Sequence, residues 1–128
     1  MENYQLIKAE PVKRIMNINE IELIGDNKYF NDLNCAKMKG RMMEPTILDG
    51  SLFFYDKYDR QFVSGYIYLC RIPGADGLIV RRIFSDFHNV ILKADNKKFE
   101  FLSENIFQKY LVRSIILAKV VKVLNNIE

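Results

Sequence analysis

From Asn19 onward the chain sustains no long apolar period of 3.6 residues; it runs as short β-branched and aromatic segments broken by turn residues. This constrains the fold most, because such segments cannot bury themselves singly and must pair into a sheet. "EIELI" sets Glu20 and Glu22 against Ile21 and Leu23, the alternation of a half-buried strand. "SLFFYD" (51–56) and "GYIYLCRI" (65–72) favour strand by composition. The Gly and Pro cluster "PGADG" (73–77) turns the chain into "LIVRRIF" (78–84), so a hairpin is expected there. "NVILKAD" (89–95) and "SIILAKVVKVL" (114–124) read as further strands, the last despite a length that would suit a helix. Helix is expected only at 29–33 and 103–107. The expected class is therefore mainly β, a bent antiparallel domain over 19–128 preceded by an N-terminal arm, 1–18. That arm has neither a strand period nor two consecutive helices, so no helix-turn-helix DNA-binding unit is expected in it.

Composition narrows the function classes. With 49% hydrophobic and 27% charged residues the chain can bury a core, which argues against disorder. No apolar run approaches the roughly 20 residues of a membrane span, and the first residues lack a signal-peptide apolar stretch, so a cytoplasmic protein without a membrane partner is expected. A net charge of +3, from 19 basic and 16 acidic side chains, is spread along the chain and not gathered into a phosphate-binding face. Cys35 and Cys70 lie in separate apolar segments and read as buried free thiols; His88 is the single histidine and reads as a surface residue. No metal site and no cofactor is signalled.

One stretch carries more information: "GRMMEPTILDGS", 40–51. It resembles the C-terminal peptidase domain of the LexA, UmuD and phage-repressor family, serine–lysine enzymes that cut their own chain. That family writes the stretch as Gly-Asp-Ser-Met-Glu-Pro-Thr, then an apolar pair and Asp-Gly-Asp. Gly40, Met43, Glu44, Pro45, Thr46, Asp49 and Gly50 match it. The family's Gly-x-Tyr strand is echoed by Gly65-Tyr66-Ile67-Tyr68, and its Val-Lys-Arg-Leu strand by Val80-Arg81-Arg82-Ile83. Its Leu-x-Ser-Asp-Asn-x-x-Tyr segment appears as 92–99. The resemblance implies a LexA-like, signal-peptidase-like β fold.

It also locates two positions where the chemistry differs. The family's serine position is Met42 and its lysine position is Arg81. A serine–lysine dyad needs a hydroxyl to attack a carbonyl and a neutral lysine to take its proton. A thioether has no proton to give, and a guanidinium keeps its proton at physiological pH. No Ala-Gly or Cys-Gly pair, the bond such enzymes cut, occurs in the chain. The expectation is a pseudo-peptidase with vestigial dyad positions Met42 and Arg81 facing each other across the cleft. Gly40, Met43, Glu44, Pro45 and Thr46 are expected to shape that cleft. Met42 reads as a plug over the cleft or as part of an exposed apolar binding surface; Met43 reads as core, Arg81 as paired with a carboxylate or turned out to water, and Asp95-Asn96 as a turn.

Family members pair through their last strand, so a homodimer is expected through Ile116, Ala118, Val120, Val121 and Val123, the terminal strand being left unpaired within the protomer. The function this implies is a dimerisation or regulatory interaction module, related to phage or SOS-response transcription regulation. A protein partner such as a DNA-binding regulator fits that role. The alternatives are a small nucleic-acid-binding β domain, which the low net charge does not favour, and a residual serine peptidase with an atypical site, for which Ser51 is the one serine in the motif.

Overall fold

The computed structural model describes residues 19–99 and 105–126; the arm at 1–18 lies outside the described residues. Among the described residues eight strands form one sheet: β1 (Ile21–Ile24), β2 (Asn34–Met38), β3 (Leu52–Asp56), β4 (Tyr66–Arg71), β5 (Leu78–Ser85), β6 (Asn89–Lys93), β7 (Asn105–Gln108) and β8 (Ile116–Leu124). Their order is β1-β2-β3-β8-β4-β5-β6-β7, and each neighbouring pair is antiparallel. A short helix, α1 (Val112–Ile115), leads into β8. The mainly β, antiparallel class expected from the residue pattern is what forms.

Side chains on both sides of the sheet are buried. One cluster gathers Met38, Met43, Ile47, Phe53, Ile67, Leu69, Val80 and Ala118, and a second gathers Tyr68, Cys70, Ile79, Ile83, Val90 and Leu92. Adjacent residues of β4 and β5 alternate between the two, as the period of 2 in a strand requires. The pattern "LIVRRIF" is therefore largely buried on both faces, with Phe84 exposed at its end, and its arginines find partners inside the structure.

The hairpin at 72–77 joins β4 to β5 with Arg71 opposite Leu78, as its turn residues direct. Four local expectations are corrected. Residues 29–33 form turns and bends, with Asn27 Oδ1 accepting the N–H groups of Tyr29 and Phe30. Of the helix expected at 103–107, residues 103 and 104 lie outside the described residues, and 105–107 belong to strand β7, which pairs along β6 with Val90 opposite Phe107. Ser114 and Ile115 belong to α1, so the last strand starts at Ile116. The alternation of β1 also fails: Leu23 is 59% exposed, while Glu20 is buried at 7%. β1 is an edge strand, and the buried carboxylate of Glu20, just before it, is held by an ion pair that no local pattern could show.

The terminal strand is not left unpaired. β8 lies between β3 and β4, with Ile116 to Lys119 along β4 and Lys119 to Leu124 along β3. Ile116 and Ala118, expected at a dimer interface, are each 1% exposed inside the protomer's own core and face no partner. Val120 and Val123 pack on the first cluster, and Val121 is 41% exposed. The residues predicted an apolar strand correctly, but its neighbours were set by sheet order.

Candidate functional site

The stretch at 40–51 links β2 to β3 as a closed, self-bonded turn. Gly40 and Gly50 take φ of +103° and +82°, which favours a residue without Cβ. The Gly40 N–H donates to Asp49 Oδ1 at 2.8 Å and the Gly50 N–H to the Met38 carbonyl at 2.8 Å, which close the two ends. Inside, the Asp49 N–H donates to Glu44 Oε2 at 3.1 Å, and the Ile47 N–H to the Met43 carbonyl at 2.9 Å. Met43 and Ile47 are fully buried in the first cluster. Gly40, Met43 and Glu44 thus shape the turn.

Two neighbouring segments hold this turn in place. On one side, Thr46 Oγ1 donates to Asp95 Oδ2 at 2.6 Å, the Asp95 N–H points at Met43 Sδ at 3.4 Å, and the Asn96 N–H donates to the Met42 carbonyl at 3.0 Å. Asn96 Nδ2 adds a bond to the Arg41 carbonyl at 2.8 Å. On the other side, Asn125 donates to the Thr46 carbonyl and accepts the Leu48 N–H, at 3.1 and 2.9 Å. Ser51 Oγ accepts the Asn126 N–H at 2.7 Å and is buried, so the one serine of the motif is a structural acceptor.

Arg82 extends the first anchor. Its Nε and Nη2 reach Asp95 Oδ1 and Oδ2 at 2.9 and 2.7 Å, and Nη1 donates to the Gly65 carbonyl at 2.7 Å. Burial pushes the Asp95 carboxyl upward, but the Arg82 and Thr46 hydrogen bonds and the Arg82 charge outweigh it and hold the group below its ordinary value. A carboxylate so stabilised is a poor base.

Of the two expected dyad positions, Met42 is part-exposed, and its backbone carbonyl is bonded to Asn96. Arg81 is 5% exposed and turns its guanidinium to Glu20, with Nη1 to Oε1 at 2.6 Å and Nη2 to Oε2 at 2.8 Å; Nη1 also donates to the Val80 carbonyl at 2.8 Å. Arg81 Nε is buried without a hydrogen-bond partner among the described residues. Arg81 does pair with a carboxylate. No hydrogen bond links it to Met42 among the described residues; the arginine tied to the motif turn is Arg82.

Glu20, Arg82, Asn96 and Asn125 are the residues that sequence reasoning missed. Arg82 and Asp95 had a partial signal in their opposite charges 13 positions apart, although the register partner of Arg82 is Lys93 and Asp95 lies just past the end of β6. Glu20 had none, because it meets Arg81 across 61 positions of chain. Among the described residues no group of three or more His, Cys, Asp or Glu side chains is placed to hold a metal ion, and no helix is long and apolar enough to cross a membrane. His88 is exposed, and both thiols are free and buried.

A comparison with protein-family models matches residues 9–120 to the family described as Peptidase S24-like. A search of curated proteins finds no match.

Proposed function

Because the chain belongs to the Peptidase S24-like family yet carries Met42 and Arg81 where that fold's relatives carry serine and lysine, we propose that it is a non-cutting member used as an interaction module. Its role is to dimerise, or to hold a regulatory partner such as a DNA-binding protein, in transcription control of the phage or SOS type. The observation that carries this reading is the pair of side chains at the two chemical positions. A thioether cannot be acylated, and a guanidinium bound to a carboxylate cannot take a proton.

The geometry around the turn supports the same reading. Its remaining hydroxyls, Thr46 and Ser51, are committed to Asp95 and to the Asn126 N–H. The scaffold bonds of the turn are complete although the chemistry is absent, which fits selection for shape. The test is to incubate the whole chain at raised pH with a serine-reactive phosphonate and record intact mass. An unchanged mass is expected, with no self-cleavage; a covalent adduct or a cut chain overturns the proposal.

A further inference from the structure

Glu20 is the buried acid next to this site that the proposed role leaves unused. It sits just before β1, against the part of β5 that β6 does not cover, since β6 pairs only from Arg82 onward. Its N–H donates to the Leu78 carbonyl at 2.9 Å, and its own carbonyl accepts the Lys39 N–H at 2.8 Å. Those two backbone bonds fix the residue, so its carboxylate is delivered to Arg81 by the chain path and not by a free rotamer. The Glu20 and Arg81 side chains are 9% and 6% exposed.

We infer that Glu20 is a fixed counter-ion that would hold any amine placed at position 81 cationic, so that restoring a lysine there would not by itself restore a base. The inference rests on the reading of position 81 as the former base position. A carboxylate at hydrogen-bond distance favours the charged form of any amine placed there, opposing the burial that would otherwise drive the amine neutral. The other groups at this position come from β4. The Cys70 thiol is pushed up to about 12 by burial, against the pull of the Arg81 charge, and stays neutral. Tyr68, the register partner of Arg81, spends its hydroxyl on the Gln61 carbonyl at 2.9 Å. Glu20 is therefore the charged side chain bonded to position 81 among the described residues.

The consequence is specific. Replacing only the two dyad residues, Met42→Ser with Arg81→Lys, leaves the new lysine beside Glu20 and protonated, so it cannot receive the serine proton. Adding Glu20→Gln removes the counter-charge while keeping the side chain's volume. In the triple variant Ser Oγ could then attack a peptide carbonyl while the lysine takes its proton and passes it to the leaving amine, and water would hydrolyse the ester.

The experiment titrates the lysine directly in the full chain, by NMR of side-chain-labelled Arg81→Lys with and without Glu20→Gln. With Glu20 present the lysine should titrate at or above its ordinary value of about 10.4. With Glu20→Gln it should fall by at least one pH unit, a tenfold change in acidity. A lysine that titrates well below 10.4 beside Glu20, or that is unmoved by Glu20→Gln, overturns the inference. Should Glu20→Gln fail to fold, the Arg81→Lys titration alone decides. Cleavage of a supplied Ala-Gly peptide separates the two readings. Cleavage by the triple variant but not by the double supports the lock, and cleavage by the double overturns it. A silent triple variant whose lysine has nonetheless fallen upholds the lock and overturns the assignment of positions 42 and 81 as a latent dyad.

Discussion

Asp95 shows how much one side chain holds. It accepts from Arg82 Nε and Nη2 and from Thr46 Oγ1, and thereby ties β5 to the motif turn. Asp95→Asn should cost about 2–3 kcal/mol, because it leaves a part-buried guanidinium without its counter-charge. Urea unfolding should show a lower midpoint at unchanged slope. The sign with pH follows from the lowered carboxyl: its contribution is complete above the unfolded value of about 3.9 and is lost as pH falls through the lower folded value. Asp95→Asn should flatten that acid limb. The thiols give a second prediction at this scale. Cys35 and Cys70 are both raised by burial, Cys70 to about 12. Iodoacetamide at pH 8 should therefore label neither in the folded protein and both in urea, read by intact mass; a labelled folded chain would contradict the burial of these groups. Raised thiols stabilise fully below about 9, and that contribution declines as pH rises from there toward 12.

Among the elements, β8 does the most joining. Lys119 is the residue at which it passes from β4 to β3, opposite both Tyr68 and Asp56, and its N–H donates to the Asp59 carbonyl at 3.1 Å. Register shifts at 54/55 and 69/70 flank this point, and bulges of that kind bend a strand and raise its twist. Lys119→Pro removes the N–H in the middle of the sheet and should cost about 3 kcal/mol or more. Lys119→Ala loses only the ammonium lying 4.2 Å from the Tyr66 ring centre, worth about 0.5–1 kcal/mol. Parallel urea titrations check the contrast, and equal losses would show that the backbone bond is unimportant. The loop before β4 supports the same region, since Arg60 donates to the Ile116 and Arg113 carbonyls at 3.2 and 2.9 Å.

For the whole molecule, the interaction role turns on surface that the sheet leaves free. β4 pairs with β8 only as far as Lys119, so the stretch beyond it keeps one edge open, with Val121 41% and Leu124 44% exposed. If the chain dimerises through this edge, Val121→Glu should convert the dimer to monomer in sedimentation while shifting stability by less than about 0.5 kcal/mol, as exposed substitutions do. A dimer indifferent to Val121→Glu would place the interface elsewhere. Ile116 and Ala118 do not belong to that open stretch, because they lie along β4 and are buried in the protomer's own core.

By itself the sequence determined the class of most segments and the character of the motif turn. Both follow from local causes: β-branched and aromatic side chains suit a pleated strand, and Gly40 and Gly50 admit the positive φ that closes the turn. It also pointed to the S24-like family through residues that hold the turn's shape, as Met43 and Glu44 do. Only the tertiary structure decided that the last strand lies inside the sheet, that residues 105–108 pair as a strand, and that Glu20 is buried against Arg81 while Arg82 takes Asp95. Each of these depends on pairing between distant segments. Burial and hydrogen bonding across such distances reward a partner's position in space, which no local period of the chain records.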